Sequence, residues 1–147
     1  MTTQETLYTA SGGVYATSLI VLDAPARMFT MNYSRGTANR FTLSALTDIW
    51  RRAMQERARE LEVPHYATCR IHAWPYQQKG TLADTGSHMP VVKAVVDGLR
   101  DAGVLKDDTG REVLAITMHA PARGPNGIKL ELRGALAILP RPIPCAE

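Results

Sequence analysis

The residues from Pro90 to Gly103 constrain the fold more than any other stretch of this chain. Pro suits the first turn of a helix, and Gly suits the left-handed position just beyond a helix end. Between them, aliphatic residues recur at helical spacing: Val92, Val95, Val96 and Leu99. The pattern predicts a helix with one buried face, in a chain of 147 residues that is long enough for one domain with a real core.

Strand patterns occupy four other segments. Residues 14–22 read as a buried strand and 112–119 as a more buried one, whereas 65–74 and 128–133 alternate apolar and polar side chains. The alternation directs these side chains inward: Ala67, Cys69, Ile71, Ala73, Ile128, Leu130 and Leu132. The turn residues GPNG at 124–127 predict that 112–119 and 128–133 form an antiparallel hairpin.

A second helix is predicted over 42–62, with Thr42 as its cap and Trp50 on its apolar face. The order strand, helix, strand, helix, strand, strand predicts an α+β fold, a single domain in which two main helices pack on a mixed β-sheet with a C-terminal antiparallel hairpin. We expect a loose N-terminal arm over 1–13, the folded domain over 14–139 and a Pro-rich tail over 140–147.

Composition excludes several classes of protein. With 45% hydrophobic and 21% charged residues, the chain matches ordinary globular domains. Its longest apolar run, residues 14–22, is too short to cross a bilayer, and the first residues lack the order of a signal peptide. We therefore expect a cytoplasmic protein. Cys69 and Cys145 are too few for a disulfide framework or a zinc site, and both are expected to be free thiols.

Arginines cluster between residues 27 and 52, where the only acid is Asp48. They are Arg27, Arg35, Arg40, Arg51 and Arg52. Such a segment attracts phosphate, although a solvated basic surface accounts for the same pattern. The first three lie in a predicted loop over 23–41.

Acidic residues flank the predicted helix on both sides. Asp84 precedes it, Asp107 and Asp108 follow it, and Lys93 lies near its start. A helix of about 13 residues is roughly 20 Å long, so these carboxylates meet only if both flanking segments run back along it. If they meet, they form an oxygen-ligand site of the kind that holds Mg²⁺ beside a phosphate. Otherwise they are ordinary turn residues, and Lys93 with Asp97 is a surface pair.

The same stretch resembles the RusA-like Holliday junction resolvases of bacteria and their phages. That family has an acidic loop of the type D-x-x-N or D-x-D-N, a helix with a Lys, a D-x-L-x-x-A-G segment and a D-D pair. Here Asp84, Lys93, DGLRDAG (97–103) and DD (107–108) stand in those places. The match covers about 50 residues, 84–133, and GIKLELRG resembles the family's closing strand.

The resemblance implies a homodimeric endonuclease that depends on Mg²⁺, with Mn²⁺ as a possible substitute, and that nicks four-way DNA junctions symmetrically. Carried over by motif, Asp84, Lys93 and Asp108 are the expected catalytic residues. Asp84, Asp107 and Asp108 are the expected metal ligands. The basic loop 27–40, with Arg27, Arg35 and Arg40, is expected to contact DNA phosphates.

Two alternatives stay open. Ser87 stands at the position of the family's Asn, and Gly86 where some members have a second loop Asp. A protein that binds junction DNA with weak or no cleavage is the first alternative. A small α+β domain that binds a protein partner, with its carboxylates in plain turns, is the second.

Overall fold

The computed structural model describes residues 4–8, 13–34 and 37–137, with the side chains of 13–32 and 42–137. The strands are β1 (Gln4–Tyr8), β2 (Val14–Asp23), β3 (Tyr66–Gln77), β4 (Val113–Met118), β5 (Ala122–Arg123) and β6 (Gly127–Leu136). The helices are α1 (Thr37–Glu60) and α2 (Met89–Asp101), with a short 3₁₀ helix at Met31–Ser34. The tail predicted over 140–147 lies outside the described residues.

One mixed sheet carries the helices, which confirms the predicted α+β class. Its strand order is β1-β2-β6-β3-β4, and β5 continues alongside β3 beyond the end of β4. The first four strands in this order pair antiparallel, whereas β3 pairs parallel with β4 and β5. Pro75 lies in β3 between the residues that pair with β4 and those that pair with β5, where its missing N–H breaks no ladder.

The predicted hairpin between 112–119 and 128–133 does not form in the described residues. β3 lies between β4 and β6 and pairs with both of them, in opposite directions. Turn residues such as GPNG show where the chain reverses, but they do not determine which strands pair. Both β4 and β6 pair with β3, which lies about 50 residues earlier in the sequence. β4 is consequently an edge strand, less buried than predicted, and its Leu114 is 50% exposed.

Two element boundaries and one strand face also differ from the sequence prediction. Residues 4–8, predicted as part of a loose arm, form β1 and pair with β2. α1 begins at Thr37, so Thr42 is not its cap and the loop predicted over 23–41 is shorter. In β3 an irregularity in the pairing with β6, between Tyr66 and Thr68, buries Tyr66 and exposes Ala67, the reverse of the prediction.

The inward faces otherwise follow the alternation. Cys69, Ile71 and Ala73 are fully buried in a core with the β6 residues Ile128, Leu130 and Leu132. Burial raises the pKa of the Cys69 thiol to about 11, as suits a free cysteine inside the core.

The two helices pack on this face of the sheet and on each other. Trp50 of α1 is fully buried, which confirms its predicted place in the core, and its ring N–H donates a hydrogen bond to the carbonyl of Arg27. α2 buries its predicted stripe of Val92, Val95, Val96 and Leu99. Neither helix in the described residues has the length and apolar character needed to cross a membrane.

Candidate functional site

The polar face of α2 supplies three side chains to a charged cluster. Lys93, Asp97 and Arg100 lie at i, i+4 and i+7, a spacing that puts them on one side of the helix. Pro90 stands in the first turn, as predicted from the sequence. Lys93 is half exposed, whereas Asp97 and Arg100 keep 25% and 30% of their side-chain surface. The opposite face of α2 is buried in the core, so the orientation of these side chains is fixed by packing.

The chain reverses immediately after α2. Gly103 has the left-handed φ of 82° predicted for it, and the amide of Val104 donates to the carbonyl of Leu99. Val104 and Leu105 are buried and fasten this segment to the start of β3 through Tyr66. The reversal sends residues 106–108 back along α2.

Asp108 thereby lies beside Lys93. The Lys93 ammonium nitrogen is 3.9 Å from a carboxylate oxygen of Asp108, although 15 residues separate them in the sequence. Asp107 is adjacent, and its carboxylate accepts a hydrogen bond of 2.8 Å from the amide of Asp108. The structure therefore brings together three of the four residues that the sequence placed around a metal.

Arg100 lies at the centre of this charged cluster. Its Nη1 is 3.4 Å from Asp108, 3.8 Å from Asp107 and 3.9 Å from Asp97. One guanidinium therefore offsets the negative charge of three carboxylates. The cluster of Lys93, Asp97, Arg100, Asp107 and Asp108 is called the acidic cluster below.

The carboxyl groups of Asp97 and Asp108 shift each other's pKa in opposite directions. Partial burial, together with the interaction with Asp108, raises the pKa of Asp97. The interaction with Asp97 lowers the pKa of Asp108, and Asp107 and Arg100 act in the same direction. Asp97 thus holds the proton more tightly, and Asp108 is the charged partner that faces Lys93.

Asp84 lies apart from the acidic cluster's contacts. It precedes α2 in an exposed turn, which is closed by a hydrogen bond from the Ser87 amide to its carbonyl. Among the described residues, none forms an ion pair with Asp84 within 4 Å. The ion pair of Lys93 in the described residues is with Asp108 and not with Asp84.

His88 anchors the turn that carries Asp84. It is 3% exposed, and its Nδ1 donates a hydrogen bond of 3.0 Å to the carbonyl of Phe29. Its Nε2 is buried without a partner among the described residues. The Met31 amide also donates to the carbonyl of Ser87, so the segments 29–31 and 87–88 are joined by two bonds.

The predicted DNA-binding arginines are placed unevenly. Arg27 is exposed, and its carbonyl is fixed by Trp50. Arg35 lies outside the described residues. Arg40 belongs to α1, not to a loop as predicted, and its side chain is outside the described part of the structure.

The carboxylates of the acidic cluster have the right chemistry for a hard cation such as Mg²⁺, but they do not surround a metal site. Carboxylate oxygens are the ligands that Mg²⁺ prefers, and one or two of them with substrate phosphate are its usual protein ligands. Within the described residues, however, no three His, Cys, Asp or Glu side chains are grouped closely enough to hold a metal. Asp107 and Asp108 could supply such a pair of carboxylates, and Arg100 lies against both of them.

Sequence reasoning left Asp97 and Arg100 out of the site. Their i, i+4 and i+7 spacing with Lys93, which places all three on one polar face of the helix, was the feature that could have indicated them. What the sequence does not state is that the DD pair returns to that face, because this depends on Gly103 and on the contacts of Leu105 with β3.

Comparison with protein-family models gives no match for this sequence, and comparison with curated proteins gives no significant match. The assignment of a function therefore depends on the motif spacing and on the geometry described above.

Proposed function

We propose that this protein is a Mg²⁺-dependent endodeoxyribonuclease that nicks branched DNA, with four-way junctions as its substrate class. The observation that carries the proposal is the contact between the Lys93 ammonium and the Asp108 carboxylate. Adjacent carboxylates can hold a divalent ion, and an ammonium beside them can offset the charge that develops on a phosphodiester during hydrolysis. The resemblance to RusA-like resolvases supports the same reading.

Three residues of the acidic cluster, together with Asp84 outside it, have a chemical task in this proposal. Asp107 and Asp108 would hold the metal ion, with Asp84 as a third carboxylate. Bound Mg²⁺ supplies Lewis acidity to the phosphodiester and lowers the pKa of a coordinated water. Lys93 is half exposed and places its charge where the negative charge of the phosphorane-like transition state develops.

Junction recognition in this proposal depends on shape and on phosphate contacts. Two nicks at symmetric positions need two sites related by a two-fold axis, so we propose that the active form is a homodimer. The mild net charge of +3 is compatible with salt-sensitive phosphate binding. In this proposal the protein acts in the cytoplasm of a bacterial or phage-infected cell.

Asp108→Asn tests the site. With Mg²⁺, the wild-type protein is expected to nick a synthetic four-way junction, whereas the Asn variant loses at least about 100-fold in nicking rate because it lacks a charged ligand. Binding, measured without Mg²⁺ by gel shift, stays within about twofold. Asp48→Asn is the control, since Asp48 is an exposed acid that pairs with Arg52 on α1. Nicking by Asp108→Asn at the wild-type rate refutes the assignment.

A junction-binding protein without cleavage is the second candidate. Arg100 favours it, since its guanidinium already offsets the carboxylates that a metal ion would need. This candidate predicts preference for four-way junctions over duplex DNA at moderate salt, with no nicking by Mg²⁺ or Mn²⁺. Equal affinity for both DNAs would instead favour a protein-interaction domain, since simple basic attraction does not distinguish shape.

A further inference from the structure

The sheet face opposite the helices is open over the described residues and carries a distinctive set of side chains. Large apolar side chains stand exposed on or beside it, with Tyr15 and Leu114 at 50% and Val21 at 42%. β3 adds Arg70, His72 and Trp74 to this face, and β6 adds Lys129, Glu131 and Arg133. We call this surface the open sheet face.

Two arginines are direct neighbours on this face. Arg70 of β3 and Arg133 of β6 are register partners in the antiparallel pair, so their side chains project from the same side with Cβ atoms about 5 Å apart. Like charges in this position destabilise a sheet unless an anion lies between them. The outer neighbours in the same row, Thr17 on β2 and Ala115 on β4, are uncharged.

Among the residues that the structure describes, one of these two arginines is paired with a carboxylate. Arg133 pairs with Glu131, two positions away on its own strand, while 64% of its side-chain surface stays exposed. Arg70 is also exposed, and no acid among the described residues forms an ion pair with it. The pair therefore carries uncompensated positive charge at the centre of a sheet face.

A concavity of about 330 Å³ lies over the two arginines. It is lined by Tyr15, Thr68, Cys69, Arg70, Leu114, Arg133 and Gly134. Two guanidiniums provide forked donors for phosphate oxygens, Thr68 adds a hydroxyl, and the exposed ring of Tyr15 offers a surface for a sugar or base. The combination fits a phosphate with its nucleoside better than a carboxylate alone.

The aromatic residues further along the face do not offer a second platform. The Trp74 ring stacks on His119 with centroids 4.4 Å apart and an angle of 8°, while the Lys129 ammonium lies 4.6 Å from its centroid. Lys129 comes from β6 and His119 follows β4, on opposite sides of β3. Both faces of the Trp74 ring are therefore covered by side chains of the protein itself.

We propose that Arg70 and Arg133 hold a backbone phosphate of DNA, so that the open sheet face is a second DNA-contacting surface on the side of the sheet away from α2. The inference rests on the proposed function, since a four-way junction sends its arms in different directions. One arm would lie at the acidic cluster and another against the open sheet face.

The test compares two double variants of the full chain. Arg70→Gln with Arg133→Gln removes the pair, and Arg59→Gln with Lys79→Gln removes the same charge from exposed positions elsewhere. Affinity for a labelled four-way junction is measured by fluorescence anisotropy without Mg²⁺, across a series of salt concentrations. Circular dichroism melts establish that both variants are folded.

We expect the arginine-pair variant to bind about 10-fold more weakly at 0.15 M salt. The slope of log K against log salt should fall by about 0.9, the value for one lost phosphate contact. The control variant should stay within about twofold. Equal losses of junction affinity in the two double variants would overturn this inference. Nicking of the junction by the wild-type protein would still support the proposed function in that case.

Two further outcomes also count against the inference. If the wild-type protein binds no DNA, the proposed function and this inference fail together. If sedimentation shows a wild-type dimer that the arginine-pair variant alone cannot form, the open sheet face is a contact between copies of the chain and not a DNA surface.

Discussion

At the scale of single residues, the charge of the acidic cluster depends on the protonation of Asp97 and on the Arg100 guanidinium. The pKa of Asp97 is raised beside Asp108, whose own pKa is lowered, while Arg100 contacts both of them and Asp107. A divalent cation entering this cluster competes with the proton of Asp97 and with Arg100 for carboxylate oxygens. Metal affinity is therefore expected to fall at acidic pH.

Asp97→Asn separates the proton from the rest of the cluster. The pKa of Asp97 is raised in the fold, so its contribution to stability is complete below its unfolded value of 3.8 and is lost as the pH rises through the folded value. Asn keeps an N–H donor for Asp108 and has no proton to lose. We expect the variant to gain stability relative to wild type between pH 4 and pH 7, as measured by urea unfolding at both values. A difference that does not change with pH would show that Asp97 does not hold its proton more tightly in the folded state.

At the scale of elements, the close approach of the two helices positions the acidic cluster. Gly98 of α2 faces α1, where an added Cβ would meet the Arg51 carbonyl and come within 2.9 Å of the Met54 Cβ. Beside this contact Arg51 donates two hydrogen bonds, of 2.5 and 2.9 Å, to the carboxylate of Asp101. These bonds lower the pKa of Asp101 and raise that of Arg51, so both ends of the pair stay charged.

Gly98→Ala is expected to destabilise the protein, although Ala is the better helix former. The backbone carbonyl of Arg51 cannot yield as a flexible side chain would, so the helices must separate, at a cost of about 1–3 kcal/mol. Gly110→Ala is the control, because nothing lies within 4 Å of its added Cβ. Urea unfolding measures both, and equal stabilities of the two variants would contradict this account of the packing.

At the scale of the whole molecule, distant segments meet at the start of α2. Phe29 and Met31 bond to His88 and Ser87, and Arg27 bonds to Trp50 of α1. The segment with Arg27 and the turn with Asp84 are thus held in one arrangement, although about 60 residues separate them.

His88→Leu tests this connection against His88→Asn. Asn places an N–H donor near the position of Nδ1 and keeps the bond to Phe29, whereas Leu removes it. We expect the Met31 amide to exchange with solvent about 10-fold faster in the Leu variant, equivalent to about 1.4 kcal/mol of local opening, and near the wild-type rate in the Asn variant. Hydrogen–deuterium exchange mass spectrometry measures both variants. Equal exchange rates of the Met31 amide would show that His88 does not hold the segment 29–31.

Prediction from sequence succeeded where the signal was local. The α2 boundaries, the positive φ of Gly103 and the inward faces of 69–73 and 128–132 follow from propensity and periodicity. It failed for β1 and for the first turns of α1. It also predicted the opposite burial for Tyr66 and Ala67, because one irregularity in strand pairing shifts the side-chain alternation there.

Local sequence patterns predict most of the helices and strands and most of their apolar sides, because these depend on neighbours a few positions away. The tertiary structure decided that β3 separates β4 from β6, that Asp108 returns to Lys93, and that Arg70 stands opposite Arg133. Each of these needs two segments between 15 and 63 residues apart to meet. Their meeting is chosen by the packing of the whole core, which no local pattern records.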